Sequence, residues 1–200
     1  MCGIHEIIRS NGASPAQLKK DIGTMFNQSK HRGPDQSDVV VFGNRAALGM
    51  NRLSIVAPHE RSTIQRSATG NYAVLNGEIV NHPELRRGLK NPPSQQSDSA
   101  VILPLFEQYG QGYIRELAGM FAIGVYNPSE ERVQLWRDPL GVKPLYYHQS
   151  GDEFIFSSEI KAIAAVMSHE PEIDFAALDQ GLRYRFHPGR SSVFPEIQRW

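Results

Sequence analysis

The sequence predicts an α+β fold: two mostly antiparallel sheets packed together and flanked by helices. Short apolar stretches recur between turn residues, enough for roughly eight to ten strands. These stretches come in pairs joined by brief polar turns such as Gly43-Asn44 and Asn127-Pro128-Ser129-Glu130, the mark of hairpins and hence of antiparallel pairing. Helical 3–4 spacing is confined to a few segments. Sheets with one apolar face each bury it most economically against another layer.

In order along the chain, Ile4 to Arg9 reads as a short strand. Ser14-Pro15 supplies an N-cap and a first-turn proline, and Leu18, Ile22, Met25 and Phe26 follow at helical spacing. His31 to Asp35 is turn-rich and ends that helix. Val39 to Phe42 and Ala46 to Ile55 form a hairpin about Gly43-Asn44, and Pro58 to Gly70 is a polar loop. Tyr72 to Leu75 is a buried strand running into Asn76-Gly77-Glu78. His82 to Leu89 is a short helix ended by Asn91-Pro92-Pro93. Ser97-Asp98 can cap the next helix, whose inner face is Val101, Ile102, Leu105 and Phe106. Met120 to Tyr126 and Arg132 to Arg137 form a hairpin, and Leu145 to Tyr147 pairs with Glu153 to Phe156. Helices cover Ser158 to Met167 and Asp174 to Tyr184, and the tail from Phe186 to Trp200 is extended.

The 200 residues suit one domain, or one domain and the start of another. Lys+Arg and Asp+Glu are equal at 21 each. That balance argues against nucleic acid or a membrane surface as partner and towards a small molecule or a protein. No apolar run reaches the roughly 20 residues of a membrane span, and the first residues lack the plan of a secretory signal. A cytoplasmic location is the default expectation. Cys2 is the single cysteine, so no disulfide and no cysteine-based metal site is expected, and the histidines lack ligand spacing.

Cys2 carries the chemistry. Removal of Met1 leaves a residue bearing both a thiol and a free α-amine, whose reference pKa of about 8 lets it take a proton near neutrality. The plainer reading of a lone cysteine there is a small residue at a chain end. Its context decides: Cys2-Gly3-Ile4, His31-Arg32-Gly33-Pro34-Asp35, Arg52-Leu53-Ser54-Ile55, Asn76-Gly77-Glu78-Ile79, Ser97-Asp98 and the run Arg137 to Tyr146 follow one another along the chain. With these motifs, and Ser157 to Ala162 after them, the chain resembles the glutaminase domain of class II (N-terminal-nucleophile) glutamine amidotransferases, most closely that of the glutamine-hydrolysing asparagine synthetases.

The resemblance implies a four-layer αββα sandwich of the N-terminal nucleophile hydrolase type, a domain over residues 1–185, and a linker over 186–200 leading to an ATP-dependent synthetase domain. It implies that Cys2 attacks the glutamine side-chain amide and forms a thioester, with the Asn76 amide and the Gly77 N–H holding the oxyanion. Arg52 would clamp the substrate carboxylate, and Asp98, with Glu78 nearby, its ammonium. Each group suits its task, since a guanidinium fork matches a carboxylate and glycine admits close backbone approach. Position alone leaves other readings: a hairpin turn at Asn76-Gly77, a strand-edge charge at Arg52, a helix cap at Asp98. No cofactor is expected in this chain, because ATP and magnesium would belong to the synthetase domain. Expected partners are glutamine and that domain, in cis or in trans, with a homodimer also open.

Several positions depart from the family pattern. His5-Glu6 replaces Phe-Gly close to the nucleophile, Gln65-Arg66 replaces Gln-Pro, Val80 replaces a tyrosine, the segment between Leu89 and Ser97 is short, and Ser99-Ala100 stands where Thr or Cys and then Glu are usual. These motivate an alternative, a non-catalytic docking domain of the same fold serving an ammonia-using synthetase. An amidase for another amide is a weaker option, against which Arg52 and Asp98 argue.

Overall fold

A computed structural model describes residues 1–55, 59, 63–187 and 189–200. The chain divides into two compact units: residues 1–4, 32–38 and 50–143, and residues 5–31, 39–49 and 144–200.

The first unit is built on a four-stranded antiparallel sheet in the order β4-β5-β6-β7. Its strands are β4 (Gln65–Arg66), β5 (Tyr72–Ile79), β6 (Gly119–Asn127) and β7 (Arg132–Arg137). The β6–β7 turn is held by Asn127, whose Oδ1 accepts from the backbone N–H of Ser129 and Glu130. One face of this sheet is apolar: Ala73, Leu75, Phe121, Ile123 and Val125 pack with Ile102, Leu105 and Tyr113 of the helical layer. That layer contains α2 (His82–Arg87), a 3-10 turn (Asp98–Val101) running into α3 (Ile102–Tyr109), and a second 3-10 segment (Gly110–Glu116). The expected helices and strands of this unit are thus present, joined by two elements that were not expected. β4 lies in the stretch read as loop (residues 56–58 and 60–62 fall outside the described set). Arg66 keeps an N–H that proline would lack; it pairs opposite Tyr72 and sets its guanidinium 5.5 Å from that ring. The 3-10 segment after α3 has no apolar period long enough to announce it.

The second unit rests on the sheet β10-β8-β9-β1-β3-β2. Its strands are β1 (Gly3–Arg9), β2 (Gln36–Phe42), β3 (Ala46–Arg52), β8 (Tyr146–Ser150), β9 (Glu153–Ser157) and β10 (Ile197–Arg199). Against it pack α1 (Pro15–Ser29) and α4 (Ile160–Ala164), burying Leu18, Ile22, Met25, Ala162 and Ile163 on Ile7, Ala47 and Ile155. The Ser14 hydroxyl accepts from the Gln17 N–H, as the expected cap should. α5 (Phe175–Tyr184) is capped by Asp174. β3 stops at Arg52 rather than Ile55. The tail read as a linker ends in β10, which pairs with β8, and Ile197 is fully buried.

Both residues that replace Phe-Gly after Cys2 are fully buried. His5 sits between two hydroxyls, Nδ1 2.9 Å from Ser157 Oγ and Nε2 2.9 Å from Ser29 Oγ, and packs edge-on to Phe26. The Ser29 hydroxyl donates to the Met25 carbonyl at 2.8 Å, so it accepts from Nε2–H and leaves Nδ1 to accept from Ser157. His5 is therefore a strut between β1, α1 and β9. Glu6 points to the other face of β1, and among the described residues neither of its carboxyl oxygens has a hydrogen-bond partner. Burial pushes its carboxyl well above the ordinary range.

A raised carboxyl binds its proton more tightly folded than unfolded. Stability from Glu6 is thus complete below its unfolded pKa of about 4.3 and declines above it, by at most ~1.4 kcal/mol per pH unit, until the folded value is passed. Urea unfolding between about pH 5 and pH 8 should show this decline in the native protein and a flatter profile in Glu6→Met.

Candidate active site

The site lies wholly in the first unit. β1 begins one residue after Cys2, so this residue stands at the mouth of a strand. Its carbonyl accepts from Arg32 Nε at 3.0 Å, and its half-buried Sγ lies 4.0 Å from the Leu53 carbonyl oxygen. The turn-rich segment 31–35 does further work. A Cβ on Gly33 would lie 2.4 Å from the carbonyl carbon and oxygen of Asn51, so only glycine lets this segment lie against the backbone that carries Arg52. Asp35 N–H then donates to the Arg52 carbonyl at 3.2 Å, and the Asp35 carboxylate accepts from Ser54 N–H at 2.7 Å. Arg52 itself is buried at the end of β3.

Asn76 and Gly77 are not a turn. They lie within β5, opposite Ala122 and Phe121 of β6. Gly77 has φ +150°, and a Cβ there would sit 2.0 Å from the Met120 carbonyl oxygen. Asn76 is fully buried, while Glu78 is exposed. Asp98 opens the 3-10 turn before α3: Oδ2 accepts from Ile79 N–H at 3.0 Å and Oδ1 from Ser99 N–H at 2.9 Å. It thus binds the strand carrying Asn76-Gly77 as well as its own turn. Burial raises its carboxyl above the usual range; the two N–H donors and His82 oppose the shift, and Glu78 adds to it.

A cavity of about 120 Å³ joins these groups. Cys2, Arg52, Asn76, Gly77, Glu78 and Asp98, all six residues expected from the sequence, line it. So do Met1, Ser97, Ser99 and Lys143, none of which was expected to bind substrate. Ser99, at a departure from the family pattern, accepts from Gln65 Nε2 at 3.2 Å and donates to Ser97 Oγ at 3.3 Å. Ala100 beside it is buried.

Lys143 is brought to the wall by the Arg137–Tyr146 motif. Asp138 accepts from the backbone N–H groups of Val142 (2.8 Å), Lys143 (3.1 Å) and Phe121 (3.3 Å). Arg137 donates to the carbonyls of Lys143 and Gly141, both at 2.6 Å. Burial alone would raise the Asp138 carboxyl, but these donors and the Arg137 charge hold it below its ordinary value. The motif is a staple that holds the loop bearing Lys143. Among the described residues no group of three or more His, Cys, Asp or Glu could hold a metal ion.

A profile of the glutamine amidotransferase domain matches residues 1–200. The chain belongs to that family. This amidotransferase domain is 32% identical over 97% of its length to a putative glutamine-hydrolysing asparagine synthetase 2 of Methanocaldococcus jannaschii, covering 41% of that protein. It is 30% identical over 100% of its length to glutamine-hydrolysing asparagine synthetase 1 of Bacillus subtilis, covering 32% of it. The domain therefore spans well under half the length of these relatives. Among solved structures, it superposes on glutamine phosphoribosylpyrophosphate amidotransferase from B. subtilis with a TM-score of 0.64 at 19% identity, over 82% of this chain and 43% of that one. That likeness is one of fold, and it agrees with the N-terminal nucleophile type implied by the motifs.

Replacing Asp138 by alanine strands three backbone donors and should destabilise the domain by about 3 kcal/mol at neutral pH in denaturant unfolding. Because the folded carboxyl is lowered, its stabilisation is present above the unfolded value of about 3.9 and fades as pH falls through the folded one, so the gap between native and variant should narrow in acid.

Proposed function

We propose that this domain hydrolyses glutamine to glutamate and ammonia through a Cys2 thioester, and that the ammonia feeds an ATP-dependent, asparagine-synthetase-like amidation carried out by a domain in cis or in trans. The convergence of Cys2, Arg52, Asn76, Gly77 and Asp98 on one small cavity carries the reading. Selection for free glutamine follows from the charges: a buried guanidinium suits the α-carboxylate, and the carboxylates of Asp98 and Glu78 suit the α-ammonium. Ammonium binding favours the ionised form of Asp98 and so works against the shift that burial imposes on the empty site.

In the reaction, the Cys2 α-amine takes the thiol proton as Sγ bonds to the amide carbon. The carbonyl oxygen becomes an oxyanion facing the Asn76 side chain and the Gly77 N–H, where one donor is typically worth roughly 3–4 kcal/mol. The C–N bond then breaks, the ammonium group of Cys2 returns its proton to the leaving nitrogen, and ammonia departs. Water, losing a proton to the same amine, attacks the thioester, and the thiolate leaves as glutamate forms. Met1 stands in the cavity wall, so its removal both frees the base and enlarges the site. No cofactor takes part in these steps.

Incubating processed protein with glutamine should release glutamate, and Cys2→Ala should release none. No turnover in protein whose intact mass shows Met1 removed would overturn the proposal; a retained Met1 would favour the docking alternative. Arg52→Lys should raise KM for glutamine about tenfold or more with a smaller change in kcat. KM should also rise as pH falls through the Asp98 pKa, a dependence that Asp98→Asn should lose together with much of its affinity.

A further inference from the structure

Among the described residues, the charged side chains that line the cavity of Cys2 are Arg52, Glu78, Asp98 and Lys143. In the glutaminase reading the first three hold the α-carboxylate and α-ammonium of the substrate, and Lys143 has no part. It is half-buried, and among the described residues its ammonium makes no hydrogen bond or ion pair. Its backbone, by contrast, is gripped twice. The Lys143 N–H donates to Asp138 Oδ2 at 3.1 Å, and its carbonyl accepts from Arg137 Nε at 2.6 Å. The side chain thus springs from a fixed point, which lowers the entropy lost when its end is ordered on a partner.

The sheet sets where that point lies. The same Asp138 oxygen accepts from Phe121 N–H at 3.3 Å, and Phe121 pairs with Gly77. Arg137 lies opposite Ala122, which in turn pairs with Asn76. Both grips on Lys143 therefore start from the stretch of β6 and β7 across from Asn76-Gly77. Asp98 is bound instead to Ile79, two residues further along β5. Lys143 belongs to the end of the cavity where the amide would react, rather than the end that would hold the ammonium.

Charge supplies the role. Glutamine enters as a zwitterion without net charge. As Sγ bonds to the amide carbon, the carbonyl oxygen takes up the π electron pair and becomes negative. After hydrolysis the same end is a carboxylate. Both charges are new relative to the bound substrate, and the Asn76 amide and Gly77 N–H are neutral donors that bring no counter-charge. A cation fixed at this end favours the transition state and the product over the substrate. We propose that Lys143 is a catalytic residue of the glutaminase reaction, its ammonium facing first the oxyanion and then the γ-carboxylate of glutamate. It transfers no proton and forms no covalent bond. The inference rests on the glutaminase reading and adds to it the group that tells the product's side chain from the substrate's.

Lys143→Met removes the charge at similar length, and Lys143→Arg keeps it. In processed protein, Lys143→Met should lower kcat on the order of tenfold, less than the loss of an oxyanion-hole donor, with KM for glutamine little changed. Lys143→Arg should recover most of that rate. Processed Cys2→Ala protein, which can bind but not turn over, separates the two ligands by calorimetry. Adding Lys143→Met to it should weaken glutamate about fivefold and leave glutamine unaffected. A lysine that merely held its loop would weaken both ligands alike. Equal losses for the two ligands, an unchanged glutamate affinity, or a fall in kcat that Lys143→Arg does not relieve would overturn the proposal. Cys2→Ala protein that binds neither ligand would sink the glutaminase reading and this inference together, whereas binding of both, indifferent to Lys143→Met, would sink this inference alone.

Discussion

Cys2 stands just ahead of β1, outside its pairing, where a residue is held in place only if something ties it down. The hydrogen bond from Arg32 Nε to the Cys2 carbonyl supplies such a tie. Arg32 is itself buried, and its neighbours Gly33 and Asp35 lie against and bond to the end of β3. Residues 32–35 thereby tie down both the backbone of Cys2 and the end of β3 that carries Arg52. Asp98 does the equivalent for the other wall by accepting from Ile79 N–H. The candidate site is held by side chains that grip backbone, a sturdier arrangement than pairs of flexible side chains gripping each other.

The strand leading from Cys2 carries an unusual polar load. His5 is matched by hydroxyls on both sides, whereas Glu6 is buried with no hydrogen-bond partner among the described residues. A histidine with both nitrogens occupied strengthens the junction of β1, α1 and β9. A neutral acid tolerated in the same strand marks stability given up. These two residues act on the scaffold of the second unit, which is where their departure from Phe-Gly is felt.

Much of this was legible in the residues. Ser14-Pro15 announced α1, Gly43-Asn44 and Asn127-Pro128 announced hairpins, and the motifs pointed to six residues that are among those lining the cavity of Cys2. What stayed hidden was tertiary. Asn76-Gly77 has the composition of a turn but runs inside a paired strand, because β6 supplies a partner that local sequence cannot reveal. β4 and β10 are too short to show a period and exist only through β5 and β8. Lys143 reaches the cavity because Asp138 and Arg137 fold its loop, and neither hydrogen-bond set can be read from spacing.

The close passage of β5 and β6 bears on how such a domain can vary. A Cβ at Gly77 would strike the Met120 carbonyl, and one at Gly119 would strike the Glu78 carbonyl at 2.1 Å. Each obstacle is main chain, so no second substitution can clear room for the first. Evolutionary drift and directed libraries alike meet a wall at this crossing, and diversity in substrate handling has to come from the surrounding side chains instead.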